Sequence, residues 1–330
     1  MTLPVIASIG AGRMGRGIAH AFSYAGYEVW LVDIKARGGA ELAKLEAEAR
    51  AEVDASLASL SALGAFDDRE RAGILARIRF AGREAAPAAL ARADVVFEGV
   101  PEVLDVKAAS FGFACRHLRE DAIVASTTST FLVSTLADLV SHPRRFLNAH
   151  WLNPAYLIPL VELSAHAATD AHVIERLKSI LERAGKVPVL CAAAPGYIVP
   201  RFQSLIMNEA ARMIEQGLAT AEDIDRAVRH GFGFRYANMG VVEFIDYGGV
   251  DILHYAGNYL ADTLGERYRP PAVIAKLMAE GKKGLREGEG FYDWRKIDVA
   301  AYRTDALERM LGMLRYQGLH QPPGAALKAR

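Results

Sequence analysis

A histidine and a glutamate near the middle of the chain are the first candidates for chemistry. His150 lies in the stretch Asn148-Ala-His-Trp-Leu-Asn153-Pro154, at the end of a predicted strand. Glu162 is the only charged residue in the apolar run 157–163, and a buried carboxylate needs a partner because an unpaired buried charge is costly. Paired with Glu162, the imidazole of His150 would be held in one tautomer and could accept a proton. The alternatives are a structural histidine and a salt bridge from Glu162 to an arginine.

A glycine-rich turn near the N-terminus indicates a dinucleotide site. Three glycines with G-x-G-x-x-G spacing stand between an apolar strand and a helical run: Gly10, Gly12 and Gly15. Such a turn lets a pyrophosphate approach free N–H groups at the positive end of a helix. Asp33 ends the next strand, where a carboxylate accepts hydrogen bonds from ribose hydroxyls and repels a 2′-phosphate. The motif therefore favours NAD over NADP, although Lys35 and Arg37 weaken the preference, and the alternative is a glycine turn in another α/β fold.

Composition narrows the class of protein. The chain has 330 residues, 52% of them hydrophobic, and a formal net charge of zero. This balance gives no indication of binding to nucleic acid or to an anionic membrane surface. No apolar run is long enough to span a bilayer, and two cysteines offer neither a disulfide framework nor metal-ligand spacing. Because the first strand follows the N-terminus without a signal-like segment, we expect a soluble cytoplasmic protein without a metal.

The elements that must position these residues alternate between strand and helix. This alternation over residues 5–191 predicts an α/β fold, with a Rossmann-type, doubly wound and mostly parallel sheet. A helical pair at about 40–78 interrupts it, either as a surface decoration or as an arm over the substrate. Beyond residue 194 the pattern is helical, and the tail from about Gln317 is expected to fray. We therefore expect an NAD-binding domain at 1–194 and an all-helical domain for substrate and dimer contacts at 195–330.

Several further motifs occur in a fixed order along the chain. Together they resemble the L-3-hydroxyacyl-CoA dehydrogenase family over about residues 4–295. The motifs are the glycine turn, Glu102 with Lys107, Ser-Thr-Thr-Ser-Thr at 126–130, His150-x-x-Asn153-Pro154, Glu162, Pro195-Gly196-Tyr197-Ile198-Val199 and Gly288-Glu-Gly-Phe-Tyr292.

The resemblance implies roles for individual residues. His150 matches the family's general base, Glu162 its partner carboxylate, and Ser129 the serine that contacts both substrate oxygen and cofactor. The residues that match the cofactor site are Gly10, Gly12, Arg13, Met14, Gly15, Asp33, Glu102, Lys107, Ser129 and Asn153. Of these, Glu102, Lys107 and Asn153 match residues that line the nicotinamide end, and Ser129 and Asn153 are expected to contact substrate. The resemblance further implies NAD as cofactor, a small-molecule substrate and a homodimer formed through the C-terminal domain.

Two departures from the family pattern leave the substrate open. Pro200 stands where the family often has an asparagine that holds the substrate's carbonyl end, and Arg286 stands where it has a lysine. The stretch 231–237 is closer to free-acid relatives such as L-gulonate 3-dehydrogenase, the lambda-crystallin relatives and L-carnitine dehydrogenase. Its Arg235 is either a carboxylate anchor or an interface or surface arginine.

Three functions therefore remain in view. The first is oxidation of a short-chain 3-hydroxyacyl-CoA such as 3-hydroxybutyryl-CoA. The second is the same chemistry on a small free 3-hydroxy acid, which Pro200 and the stretch 231–237 favour, whereas the intact helical insertion favours the first. The third is a non-catalytic NAD-binding or structural protein, which any turnover would exclude.

Overall fold

A computed structural model describes residues 2–324 of the chain, which divide into two compact units between Ile206 and Met207. The division falls within one helix, α8 (Val199–Glu215). The domain boundary at 194/195 stays a prediction. The predicted fraying of the tail concerns in part residues 325–330, which lie outside the described residues.

The first unit is built on an eight-stranded sheet. Its strands are β1 (Ile6–Ile9), β2 (Val29–Val32), β3 (Ile78–Ala81), β4 (Val95–Glu98), β5 (Ile123–Ser126), β6 (Phe146–Trp151), β7 (Leu160–Ala165) and β8 (Val187–Cys191). They lie in the order β3-β2-β1-β4-β5-β6-β7-β8. Every neighbouring pair is parallel except β6 and β7, which run antiparallel. The strand order along the sheet reverses direction between β1 and β4. In open α/β sheets, ligands bind in the crevice at the carboxyl ends of the strands at such a point.

Helices cover both faces of this sheet and also form the insertion predicted at about 40–78. They are α1 (Arg13–Tyr24), α2 (Gly39–Ala62), α3 (Arg71–Ala76), α4 (Ala86–Leu90), α5 (Leu104–Ala114), α6 (Val133–Ala137) and α7 (Ala171–Arg183). The predicted fold class, a mostly parallel doubly wound sheet followed by a helical region, is confirmed. Sequence reasoning had not separated α4 and α6, because five-residue helices carry too few turns to show a helical period.

The inserted α2 docks on the unit through one narrow stripe. Ala49, Val53 and Leu57 recur every four residues and are its buried side chains. They join the same apolar cluster as Ile18 and Phe22 of α1, because side chains spaced by four share one helix face. The rest of α2 is exposed or half-buried, which leaves its polar residues free to line other surfaces.

The second unit is helical. Its helices are α9 (Ala221–Ala227), α10 (Gly233–Tyr236), α11 (Val241–Gly248), α12 (Val250–Leu264), α13 (Ala272–Ala279) and α14 (Val299–Tyr316). Within its described residues, the β-type pairing is limited to isolated bridges at Gly284, Glu289 and Asp293. None of the helices in residues 2–324 is long and apolar enough to cross a membrane.

A buried carboxylate explains the glycine-rich motif near residue 290. Asp246 is 1% exposed and accepts hydrogen bonds from the backbone of Phe291 and Tyr292 and from the indole of Trp294, at 2.8–3.0 Å. A Cβ at Gly290 would lie 2.3 Å from its Oδ1. The motif therefore folds around Asp246 and has a structural role in the second unit.

Candidate active site

The glycine turn has the conformation that a dinucleotide requires. Gly10 has φ +103°, and its N–H donates to the carbonyl of Val32 at 2.8 Å. A Cβ at Gly15 would lie 1.9 Å from the carbonyl oxygen of Gly10, so α1 can approach the turn only with glycine there. A Cβ at Gly12 would meet nothing within 4 Å. Gly12 therefore faces open space in front of the free N–H groups of α1.

A cavity of about 1010 Å³ extends from this turn to the end of β2. Asp33 lines it at the end of β2, where the acidic residue of such a fold binds the adenosine ribose, and is 4% exposed. One oxygen of Asp33 contacts the guanidinium of Arg37, which also contacts Glu41 of α2. The glycine turn, the open Gly12 position and Asp33 together fit NAD, but Arg37 already occupies part of the acceptor surface.

His150 and Glu162 form a buried pair across two strands. They are register partners on antiparallel β6 and β7, and His150 Nδ1 lies 2.9 Å from Glu162 Oε2. Glu162 is 0% exposed and His150 6%. Since a carboxylate accepts, the pair fixes the Nδ1–H tautomer and leaves the His150 Nε2 lone pair available to accept a proton. The sequence also allowed a salt bridge from Glu162 to an arginine. Among the described residues, the partners of Glu162 are His150 and backbone N–H groups instead.

The start of α8 completes the surroundings of Glu162. The N–H groups of Ile198 and Val199 donate to Glu162 Oε1 at 2.8 and 2.9 Å, where the positive end of the helix favours a negative charge. Pro200 lies in the first turn of this helix, a position whose N–H has no partner within the helix. The departure at Pro200 is therefore compatible with the local fold.

Tyr197 is a site residue that stands out in the sequence only as part of the Pro195–Val199 motif. Its ring stacks on His150 with the centroids 4.9 Å apart and 16° between the planes. Its hydroxyl donates to the carbonyl of Thr128 at 3.1 Å and accepts from Asn148 Nδ2 at 3.0 Å. Burial raises the pKa of Tyr197 well above its ordinary value, so the phenol stays neutral. Tyr197 has φ 42°, an uncommon conformation outside glycine that the sequence did not signal.

A lysine and two glutamates form a second polar cluster beyond β4 and β5. Lys107 is 1% exposed, and its Nζ lies 3.1 Å from both Glu98 and Glu102. Glu98 also accepts from the hydroxyl of Ser126 at 2.6 Å. Lys107 is thus a buried paired cation and not a solvated helix lysine. Glu98 was not among the predicted site residues, although its position at a strand end offered a signal.

Glu102 fixes the loop that carries Ser129. It accepts from the hydroxyl of Thr128 and, at 2.7 Å, from the hydroxyl of Thr130. Burial raises the pKa of Glu102, but these hydrogen bonds and the Lys107 ammonium outweigh it and lower the pKa to about 2. The residues on both sides of Ser129 are therefore held, while Ser129 itself is exposed.

Asn153 borders a second cavity of about 370 Å³. The wall opposite comes from the insertion, through Glu52, Val53 and Ser56 of α2. Asn153 is exposed, as is Arg13 at the start of α1, which lines the same cavity. Met14 is half-buried against the apolar core. The insertion therefore contributes side chains to a cavity next to a predicted site residue, as an arm would.

Arg235 belongs to the second unit and is exposed. Its guanidinium carbon lies 5.4 Å from the ring centroid of Phe244, a cation–π distance. Arg286, the other departure, pairs with Asp251 at 2.9 Å. Within residues 2–324, no group of three or more His, Cys, Asp or Glu side chains is arranged to hold a metal ion.

The sheet, glycine turn and His150–Glu162 pair define a dinucleotide-dependent dehydrogenase. Residues 5–194 match the sequence profile of the 3-hydroxyacyl-CoA dehydrogenase NAD binding domain, and residues 196–294 match that of the 3-hydroxyacyl-CoA dehydrogenase C-terminal domain. The chain belongs to the 3-hydroxyacyl-CoA dehydrogenase family, which confirms the resemblance, and is an NAD-dependent oxidoreductase.

Individual relatives match along nearly their whole length. The chain is 33% identical over 291 residues to 3-hydroxybutyryl-CoA dehydrogenase of Bradyrhizobium diazoefficiens, covering 87% of this chain and 94% of that protein. It is 27% identical over 311 residues to 5-formyl-3-hydroxy-2-methylpyridine 4-carboxylate 5-dehydrogenase of Mesorhizobium japonicum, covering 94% and 97%. The crystal structure of a 3-hydroxyacyl-CoA dehydrogenase from Archaeoglobus fulgidus superposes with a TM-score of 0.74 at 30% identity, covering 96% and 100% of the two chains.

Proposed function

We propose that this protein oxidises the 3-hydroxyl group of a short-chain 3-hydroxyacyl-CoA, of the 3-hydroxybutyryl-CoA type, to the 3-keto product. The observation that carries the proposal is the His150–Glu162 pair, 2.9 Å apart and buried at the end of β6. A hydroxyl group releases a proton when its carbon is oxidised, so the reaction needs a positioned acceptor. NAD, when bound, supplies the acceptor for the hydride that leaves C3.

His150 acts as the general base through Nε2. Glu162 keeps the Nδ1 proton on the ring and stabilises the imidazolium that forms when Nε2 takes the substrate proton. Ile198 and Val199 hold the other oxygen of Glu162, so the carboxylate stays oriented. Tyr197 covers one face of the imidazole, which restricts ring rotation during proton transfer.

The remaining site residues bind and orient. Ser129 donates to the substrate oxygen and lies beside the cofactor, on the loop that Glu102 fixes. Lys107, paired with Glu98 and Glu102, sets the position of that loop at the nicotinamide end. Asn153 contacts substrate or nicotinamide from the segment after β6. The glycine turn, with Arg13 and Met14, holds the pyrophosphate.

The names of two relatives support an acyl-CoA substrate. One is a 3-hydroxybutyryl-CoA dehydrogenase and the other a 3-hydroxyacyl-CoA dehydrogenase. The cavity between α2 and Asn153 gives such a substrate a place to extend past the reacting carbon. We therefore assign the inserted helices as a substrate arm.

The charge of α2 favours a second candidate, a small free 3-hydroxy acid. This helix carries five acidic side chains (Glu41, Glu46, Glu48, Glu52 and Asp54) and two basic ones (Lys44 and Arg50). Both basic side chains pair with glutamates of the same helix, so α2 presents no unpaired cation to the phosphates of coenzyme A. The Mesorhizobium relative is named for a carboxylate substrate without coenzyme A. If the substrate is a free acid, Arg235 anchors its carboxylate, and Arg235→Ala raises KM for the acid at least about tenfold.

We further propose that the helical domain, residues 195–330, mediates a homodimer. Ile252, Tyr255 and Tyr259 lie on one face of α12 and are 59%, 66% and 69% exposed. Apolar patches of this kind mark interaction sites, and isologous pairing covers the same patch on both copies.

Cys115 and Cys191 are unpaired, which supports a reducing, cytoplasmic location.

The deciding experiment follows NADH formation by the purified protein with NAD. The two substrates are L-3-hydroxybutyryl-CoA and free L-3-hydroxybutyrate, with L-gulonate and L-carnitine extending the acid side. A kcat/KM on the thioester at least about a hundredfold above that on every acid supports the first proposal. Turnover of an acid alone establishes the second candidate, and no turnover of any substrate contradicts both.

A further inference from the structure

Lys186 is a buried cation that the proposed mechanism does not use. It lies between α7 and the first residue of β8 and is 6% exposed. Within residues 2–324 no carboxylate lies within ion-pair distance of its ammonium group. Instead, Nζ donates to the carbonyls of Ala155 at 2.7 Å and Ile158 at 2.9 Å. The ammonium also lies 5.6 Å from the ring centroid of Trp151, within cation–π range.

Both carbonyls belong to the β6–β7 segment, residues 152–159, which contains Asn153. This segment starts two residues after His150, so its conformation decides where Asn153 lies relative to the base. A buried lysine without a carboxylate is costly compared with an apolar side chain of similar size. Its two hydrogen bonds offset that cost and fix the segment, because removing the ammonium would leave both carbonyls short of a donor.

The same segment contacts α1. Ala155 is 1% exposed, and a Cβ added at Gly17 would lie 2.9 Å from the Ala155 Cβ. Tyr156 stacks on His20 with the ring centroids 4.3 Å apart. The segment is therefore held between Lys186 on one side and α1 on the other, and the residues at its N-terminal end, Asn153 and Pro154, line the cavity next to the site.

We propose that Lys186 is a positioning residue for the dehydrogenase reaction, fixing the β6–β7 segment so that Asn153 meets the substrate beside His150. This inference rests on the proposed function. The effect of removing the Lys186 ammonium should therefore fall on the substrate and not on the affinity for NAD, because the glycine turn and Asp33 belong to other elements.

The charge of Lys186 should change at mildly alkaline pH. Burial lowers the pKa of Lys186 to about 8. From α1 the titratable group facing it is His20, whose pKa is lowered to about 4 by burial and by the Lys186 charge, so His20 stays neutral near pH 8. On β6 the neighbour of Lys186 is Trp151, which does not titrate, and in the β6–β7 segment its neighbours are carbonyl groups. Loss of the ammonium proton weakens both hydrogen bonds, so kcat/KM should fall as pH rises through about 8.

The test compares Lys186→Met with Lys186→Arg, using Lys178→Met as the matched control. Lys178 lies on α7, is partly exposed and pairs with Glu175. We expect Lys186→Met to lower kcat/KM for the substrate that turns over at least about tenfold, with the NAD dissociation constant from calorimetry unchanged within about twofold. Lys186→Arg retains a donor and should recover most of this loss. In its pH profile of kcat/KM, the decrease at alkaline pH should move to higher pH because arginine stays charged.

A double-mutant cycle with Asn153→Ala separates positioning from a general structural role. If Lys186 acts through Asn153, Lys186→Met lowers kcat/KM by less than about threefold in the Asn153→Ala background. A full tenfold loss in that background, or wild-type kcat/KM in Lys186→Met, overturns the inference. Should Lys186→Met fail to fold, Lys186→Arg decides, because an alkaline limb identical to that of the wild type contradicts it. A wild-type protein without any turnover would instead refute the proposed function.

Discussion

His150 and Glu162 are direct cross-strand partners on the one antiparallel pair of strands in the sheet, with 2.9 Å between Nδ1 and Oε2. The turn of the chain from β6 back into β7 is therefore what brings the carboxylate to the imidazole. Register partners on antiparallel strands have side chains on the same face of the sheet, and a shift of one residue would remove the pair.

Glu162→Gln tests the role of that carboxylate. The amide retains the shape of the side chain but removes the charge that stabilises a protonated imidazole, so kcat should fall about a hundredfold or more. The measurement is steady-state NADH formation, with calorimetry to show that NAD still binds. Glu175→Gln on α7, where the side chain is 69% exposed, is the control and should match wild type. A kcat for Glu162→Gln within about threefold of wild type would show that the charge has no role.

Tyr197→Phe separates the stacking of this ring from its hydrogen bonds. The variant keeps the face-on contact with His150 but leaves the carbonyl of Thr128 without its donor. We expect unfolding free energy to drop by about 1–2 kcal/mol in urea denaturation, with kcat reduced less than about tenfold. A loss of kcat larger than a hundredfold would mean that the phenol takes part in the chemistry.

The sequence allowed the sheet, the glycine turn and the His150–Glu162 pair to be predicted, because each depends on local pattern or on one charge in an apolar run. It did not reveal Tyr197, whose left-handed backbone and stack on His150 exist only once β6 and the start of α8 are adjacent. Nor did it reveal that Arg37 contacts Asp33. The role of Lys186 was equally hidden, since its acceptors are backbone carbonyls 31 and 28 residues away, and a carbonyl has no sequence signature.

Stability should depend on pH through His20. Its pKa is lowered from 6.5 to about 4 in the folded protein, first by burial and then by Lys186. Between these values the unfolded chain binds a proton that the folded chain does not, so stability falls as pH decreases from about 6.5 to about 4 and levels off below. The shift corresponds to about 3 kcal/mol at most.

His20→Asn isolates this contribution from those of other groups. The amide can replace the hydrogen bond between His20 Nδ1 and the Ser56 hydroxyl but does not titrate. Urea denaturation at about pH 7 and pH 4.5 should show a smaller loss of unfolding free energy for the variant than for wild type. Equal losses in both proteins would mean that His20 does not titrate differently on folding.

Cofactor selectivity should respond to Arg37. Its guanidinium contacts Asp33 and so competes with the ribose hydroxyls and softens the repulsion of a 2′-phosphate. Arg37→Ala should therefore raise the ratio of kcat/KM for NAD to kcat/KM for NADP by about tenfold. Arg69→Ala removes a comparable arginine that pairs with Asp67 on the surface and serves as control. A ratio unchanged by Arg37→Ala would show that Asp33 sets selectivity alone.

The central claim, that His150 is the general base of an NAD-dependent dehydrogenase, is tested most directly by His150→Asn. The asparagine amide can still donate to Glu162, but the variant lacks a group at the Nε2 position. We expect an unchanged NAD dissociation constant and a kcat for NADH formation at least about a thousandfold below wild type, while His172→Asn on the exposed face of α7 should keep the wild-type value. A folded His150→Asn protein that retains kcat within about tenfold of wild type would contradict the assignment.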